Sequence, residues 1–311
     1  MASIERTAYP RFPTVLPSRD IQTYYTPSAE EIEWVATLAR GQGSQLSVLV
    51  LLKCFEQLHY FPQIDEIPAE IISHIATVRG FPTASNIHYK STTTLYRHHA
   101  AIRKYLGIAT FEGAEARKLA IRIAREAAQV ADMRTDIINA TVEELIGLHY
   151  ELPAFSTLDK IAEQVHTTIQ DQVFRRVAKR LNQEQKDFLD NLLITDFAQR
   201  QTQFHQIKRS AKRASKKHLE NVLDQLIWLE SIIDVDKPLE GIPISKLRHF
   251  SSQAMALDAA ELKDLNLEKR YTLIHSFAIC GFGHEMIWLK CLYAGWPSFI
   301  KKLKRNWPLS N

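Results

Sequence analysis

A chain of 311 residues, 45% of them apolar, can bury a sizeable core and has room for two domains, so it is no disordered tail. Ten glycines and three scattered cysteines (Cys54, Cys280 and Cys291) exclude glycine-rich phosphate loops, a disulfide framework and a cysteine-rich zinc site; the cysteines suit a reducing cytoplasm. The net charge of +4 conceals an uneven spread: residues 1–75 are acidic on balance, 88–125 are basic, and 200–218 are basic without a single acid, a pattern that suits a polyanionic partner.

In chain order nearly every segment predicts helix, and the expected fold class is all-α. Ser28 and Glu31 have capping-box spacing at the start of a helix carrying Ile32, Val35 and Leu38. A second helix over 44–60 is apolar on most faces and is expected in the core. A third follows Pro68, with Ile71, Ile72, Ile75 and Val78 at helical spacing, and ends near Gly80. After a connector at 81–90, Ser91 or Thr92 opens a helix that Gly107 closes. Helices are expected over 112–130 and 142–149. Leu152-Pro153 marks a break, and Ser156 with Asp159 opens a helix reaching residue 181. Asn182 with Gln185 opens the next. The polar stretch 200–217 reads as an exposed loop, Ser215 caps a helix over Leu219–Leu226, and helices follow near 244–256 and 259–280. The expected division is a first helical module over 1–150, a second over 151–237 with a basic loop, a helical linker region over 238–280, and a tail over 281–311.

No metalloprotease, P-loop, dinucleotide or nucleophile-elbow motif is present. His98 and His99 are adjacent, so on a helix their side chains diverge by about 100° and do not readily chelate one metal. The longest apolar run, Val48–Leu52, is too short to span a bilayer, and the first residues lack an apolar signal core. A cytoplasmic protein with no membrane partner, no small-molecule substrate and no cofactor is expected.

Two basic segments remain. In 208–217, Lys208, Arg209, Lys212, Arg213, Lys216 and Lys217 form three cationic pairs separated by Ser and Ala, which let a backbone approach a phosphate chain closely. In 91–106, a short helix follows the one after Pro68 as in a loose helix-turn-helix, and would present Arg97, His98 and Arg103, flanked by His99 and Lys104, to duplex DNA. The alternative is a helical regulatory or adaptor protein whose apolar stripes dock partner helices.

Several segments, in order, resemble the N-terminal region of the Tn-three-type replicative transposases. They are Tyr24-Tyr25-Thr26-Pro27-Ser28-Ala29-Glu30, Ile67-Pro68-Ala69-Glu70, the stretch from Tyr96 to Gly107, Leu152-Pro153-Ala154-Phe155-Ser156-Thr157-Leu158, and Glu268-Lys269-Arg270-Tyr271-Thr272-Leu273. The resemblance implies helical modules that bind the double-stranded terminal inverted repeats of a transposon in a bacterial, nucleoid-associated setting. An intact transposase is a further expected partner. It places the family's Asp-Asp-Glu site, and the Mg2+ that goes with it, in a domain downstream of any residue matched here, so this chain is expected to be no enzyme by itself. Arg97 and Arg103 are then expected at phosphate or base, Ile102 in packing, and Gly107 at the helix end.

The resemblance stops after Phe277, and three of the five tryptophans, Trp288, Trp296 and Trp307, follow it. A frameshift near 278–284 is the expected cause, the alternative being an ordinary divergent C-terminus. Glu285-Met286-Ile287-Trp288 requires GAR-ATG-ATH-TGG, which in the shifted frame reads Asp/Asn-Asp-Leu/Met. Codons for Trp296 to Lys302 likewise permit Ala-Ile-Ile-His-Gln-Lys. Both strings resemble family sequence, so 281–311 is expected to be an out-of-frame tail. Sequencing the gene tests this: the shifted frame should continue into transposase sequence, and a downstream frame encoding nothing of the kind ends the reading.

Overall fold

A computed structural model describes residues 3–82, 87, 89, 91–196, 201–208 and 237–292. The fold class is all-α, the described residues adding to their helices one two-residue antiparallel pair and a single parallel bridge between Ala109 and Tyr150. The chain divides into two compact units, Met1–Ala128 with Met133–Val165, and Gln129–Asp132 with His166–Asn311.

The first unit is assembled around one helix. Its elements are α1 (Ser18–Tyr24), α2 (Ala29–Leu38), α3 (Gln42–Leu58), α4 (Ala69–Val78), α5 (Thr92–Leu106), α6 (Gly113–Val130, to Ala128 in this unit), α7 (Arg134–Gly147) and the start of α8 (Phe155–Arg180). Every residue of α3 from Leu46 to Phe55 is buried, so the helix has no solvent face over that stretch, as its all-round apolar sequence requires. That burial encloses one cation. Lys53 is 9% exposed and donates to Glu31 Oε1 at 3.0 Å, with Glu56 beside it. Burial alone pushes its pKa down; the bonds to Glu56 and Glu31 outweigh that and hold it above its ordinary value, so the ion pair stays intact.

Glu31 has a second task. Its other oxygen accepts from Ser28 N at 2.6 Å while Ser28 Oγ accepts from Glu31 N at 3.2 Å, the expected capping box. One carboxylate thus fixes the start of α2 and neutralises α3.

The Leu152-Pro153 break lies within the first unit. Past the left-handed His149, residues 150–153 run there as a strap: Ala109 N donates to His149 O and Glu151 N to Ala109 O, both at 2.8 Å, Leu152 N donates to His59 O at 2.8 Å, and Tyr9 Oη donates to Pro153 O at 2.9 Å. The expected 142–149 helix begins earlier, at Arg134, where Met133 holds the N-cap position. The Thr and Asn residues of that first half hide the signal, but Ile137, Ile138 and Thr141 all face the core. Helix α8 begins at Phe155, which puts Ser156 in its first turn instead of at the cap. Asp159 instead lies 3.8 Å from the Arg134 guanidinium.

The second unit takes up α8 from His166 and adds α9 (Gln183–Asn191), β1 (Thr195–Asp196), β2 (Gln201–Thr202), α10 (Gln203–Lys208), α11 (Ile244–Ala256), α12 (Ala259–Asp264) and α13 (Leu267–Leu292). The Asn182–Gln185 capping box forms as expected. Residues 201–208 correct the expected loop: they are strand and helix, and Phe204 is 1% exposed with its ring 5.3 Å from that of Phe277. The expected 259–280 helix is two helices, and Asn266 Oδ1 accepts from Lys269 N at 2.8 Å at the start of the second. Leu239, Phe250 and Phe277 share one core with Phe174 and Leu189, so 237–280 packs together with 166–193. The Ser215-capped helix lies outside the described residues, as does 293–311; the backbone of α13 runs on to Leu292.

A buried polar cluster holds Gln129–Asp132 in this unit. Lys246, with 1% of its side chain exposed, donates to Ala131 O at 3.0 Å and lies 3.3 Å from Asp132 Oδ1. His249 Nε2 lies 2.8 Å from Asp132 Oδ2 and Gln170 Nε2 donates to Oδ1 at 3.4 Å. His166 is nearby at 3.8 Å; burial pushes its pKa down although Asp132 opposes this. Removing one partner of a buried pair leaves the other charge stranded, which costs about 3–5 kcal/mol, whereas removing both is close to neutral. Lys246→Ala should therefore lower stability by about 3 kcal/mol in urea unfolding, and Lys246→Met with Asp132→Leu should recover most of it. Equal losses in the two variants would contradict this role.

Candidate nucleic-acid interface

Helix α5 carries five of the expected contact residues. Its ends are set locally. Ser91 holds the N-cap position in extended conformation, and Gly107 closes the helix at φ +67°, with Ile108 N donating to Arg103 O at 2.9 Å. That left-handed turn suits a residue without Cβ, as the sequence predicts.

The helix has three faces. The inner one is Leu95, His98, Ile102 and Leu106: Ile102 is fully buried in the core that α3 anchors, while Leu95 and Leu106 pack on its edge. The outer one is Thr93, Tyr96, Arg97, Ala100 and Lys104, all exposed, with Tyr96 at 66%. These recur at helical spacing, so a cationic and aromatic strip runs along the solvent side. The flank carries His99 and Arg103.

This arrangement places His98 and Arg103, both expected at DNA, away from the outer face. His98 is 1% exposed and its Nδ1 is 2.8 Å from the Tyr89 hydroxyl. Burial, with Arg97 beside it, lowers its pKa, so it is an uncharged interior group. Arg103 keeps 19% of its side chain exposed, lies with Nε 3.0 Å from Glu151 Oε2, and sits over the Phe61 ring at 5.5 Å. Its charge is spent inside the unit. His99 stacks flat on Phe61, with ring centroids 3.7 Å apart and planes 5° from parallel. Arg97 and Lys104 remain outward.

The second basic segment is described only at its start. Lys208 donates to Leu257 O and lies 5.2 Å over the Phe204 ring, so it ties α10 to the end of α11. Burial lowers its pKa against the pull of Asp258 and Glu261. Arg209, Lys212, Arg213, Lys216 and Lys217 lie outside the described residues. Among the described residues no group of three or more His, Cys, Asp or Glu side chains could hold a metal ion, and no helix is long and apolar enough to cross a membrane.

Sequence reasoning missed Phe61, Tyr89 and Glu151, which fix the α5 histidines and Arg103. No local spacing connects them to α5. Tyr96 was legible, since helical geometry puts it beside Arg97 and Ala100 on one face. His99 supplies a test. Burial, then Arg103 and His98, lower its pKa from 6.5 to about 4. The unfolded chain therefore takes up a proton below pH 6.5 that the folded chain refuses, so the stability from the neutral ring is full above pH 6.5 and drains away as pH falls toward 4. His99→Phe keeps the stack and cannot titrate; its Tm should fall less than the parent's between these pH values. Identical slopes would show that His99 is not the titrating group.

Known proteins place the chain. It is 21% identical over 256 residues to the transposase for transposon Tn1546 of Enterococcus faecium, covering 81% of this chain and 26% of that protein. It is 22% identical over 258 residues to the transposase for transposon Tn501 of Pseudomonas aeruginosa, covering 82% of this chain and 26% of that one. The chain thus spans about a quarter of the length of these relatives. A family described as a domain of unknown function, DUF4158, matches residues 1–165, more than half of the 311. The chain is related to Tn-three-type transposases and belongs to the DUF4158 family.

Proposed function

We propose that this chain binds double-stranded DNA at the terminal inverted repeats of a transposon, as the recognition part of a transposase, and carries no Asp-Asp-Glu catalytic set of its own. The observation that carries the reading is the match of 81% of the chain to a transposase, over only 26% of that enzyme. The outer face of α5 supports it in physical terms. Arg97 and Lys104 stand on a helix whose other side is held by Ile102, His98 and the Arg103–Glu151 pair, so the cations are offered on a rigid support. Cations so placed release counterions from DNA phosphates, and Arg97 can also reach a guanine edge bidentately. Arg209, Lys212, Arg213, Lys216 and Lys217 would add sequence-independent affinity. His98, His99 and Arg103 act in this reading as positioning residues, since they hold α5 instead of touching DNA.

Binding of the full chain to repeat and random duplexes, followed by fluorescence anisotropy across a salt series, tests this. Lys104→Gln should weaken binding to both duplexes and reduce the salt slope by about one. Arg97→Gln should weaken binding to the repeat more than to random DNA, by roughly 1–3 kcal/mol. Unchanged slopes and affinities in both variants would remove α5 from the interface and favour the adaptor reading.

A further inference from the structure

Beside α5 the first unit holds an open cleft of about 520 Å³ that shares Tyr96 with the outer face of that helix and otherwise lies apart from it. Its wall is aromatic: Tyr60, Phe61, Tyr96 and Phe111 contribute rings. Its charges are unbalanced. Glu66, Glu112 and Glu151 line it against one cation, Arg103. That arginine is already placed on the Phe61 face and against Glu151, so the cleft demonstrates its own chemistry: a guanidinium between a ring and a carboxylate. Glu112 has no ion pair among the described residues, and its charge adds to the burial that raises the Glu151 pKa. A second cation in the cleft would relieve that repulsion, whereas a phosphate would add to it. His99, on the same wall, leaves its Nε2 buried and without a hydrogen-bond partner.

We propose that this cleft docks a basic segment of a partner protein by taking one of its arginine side chains against the Tyr60 and Tyr96 rings and the Glu112 carboxylate. The guanidinium stacks on the rings and pairs with the carboxylate. The choice of occupant rests on charge complementarity. A lysine ammonium lacks the planar fork that matches ring and carboxylate together, and a nucleotide brings its own negative charge. This inference goes beyond DNA binding and does not depend on it.

Calorimetric titration of the full chain tests it with three probes: the blocked peptide acetyl-Ala-Arg-Ala-amide, its citrulline counterpart, and deoxyadenosine monophosphate. The arginine peptide should bind, and the citrulline peptide, equal in shape but neutral, should bind roughly tenfold more weakly. Glu112→Gln and Tyr96→Ala, both at exposed positions, should each weaken the arginine peptide several-fold, with unchanged circular dichroism. Glu112→Gln should not weaken duplex binding, which separates this site from the α5 face. Equal binding of both peptides, no binding of either, or no effect of Glu112→Gln would overturn the proposal. Tighter binding of the nucleotide would replace it with a site for an unstacked base.

Discussion

The first unit depends on the burial of α3 on every side. A helix without a solvent face must be covered from all directions, and α2, α4 and α5 are among the helices that do so. The same burial makes Lys53 a liability that only opposite charges offset, and Glu31 and Glu56 meet it. Glu31 reaches Lys53 from the first turn of α2 while it also caps that helix. One side chain therefore links local helix initiation to the neutralisation of the core. The outer face of α5 follows from this frame, because Ile102 and His98 fix which way the helix is turned.

The helices that announce their own boundaries were legible in the sequence. Ser28 with Glu31 and Asn182 with Gln185 form the capping boxes that their spacing predicts, and Gly107 ends α5 in the left-handed conformation. Elements whose signals are non-local were not. Helix α7 begins in a Thr- and Asn-containing stretch whose helicity comes from packing Ile137 and Ile138. Residues 201–208 look like polar loop because Phe204 and Ile207 are their sole apolar residues, yet the Phe204 ring is buried and anchors the segment. In the candidate site, the cations of α5 were legible as a set. Their division between solvent and interior was not, because Phe61, Tyr89 and Glu151 come from distant parts of the chain.

Charge is used in two ways along this molecule. Arg103, Lys53 and Lys246 are structural cations, each held by a named carboxylate, and they add little to the field that a polyanion meets. Arg97 and Lys104 are surface cations. A count of basic residues treats the two kinds alike, so the basic stretch 88–125 overstates what is offered to a partner. Helix α6 adds Arg117, Arg122 and Arg125 at exposed positions, of which Arg122 lies 3.7 Å from the equally exposed Glu126.

The central claim is selective recognition of transposon ends. Its most direct test is anisotropy of the full chain with a labelled duplex bearing the inverted repeat of the element that encodes it, against a scrambled duplex of equal length, at 50 and 200 mM salt. The account predicts tighter binding to the repeat at both salt concentrations, with both affinities falling steeply as salt rises. Equal affinity for the two duplexes, or binding to neither, would contradict it.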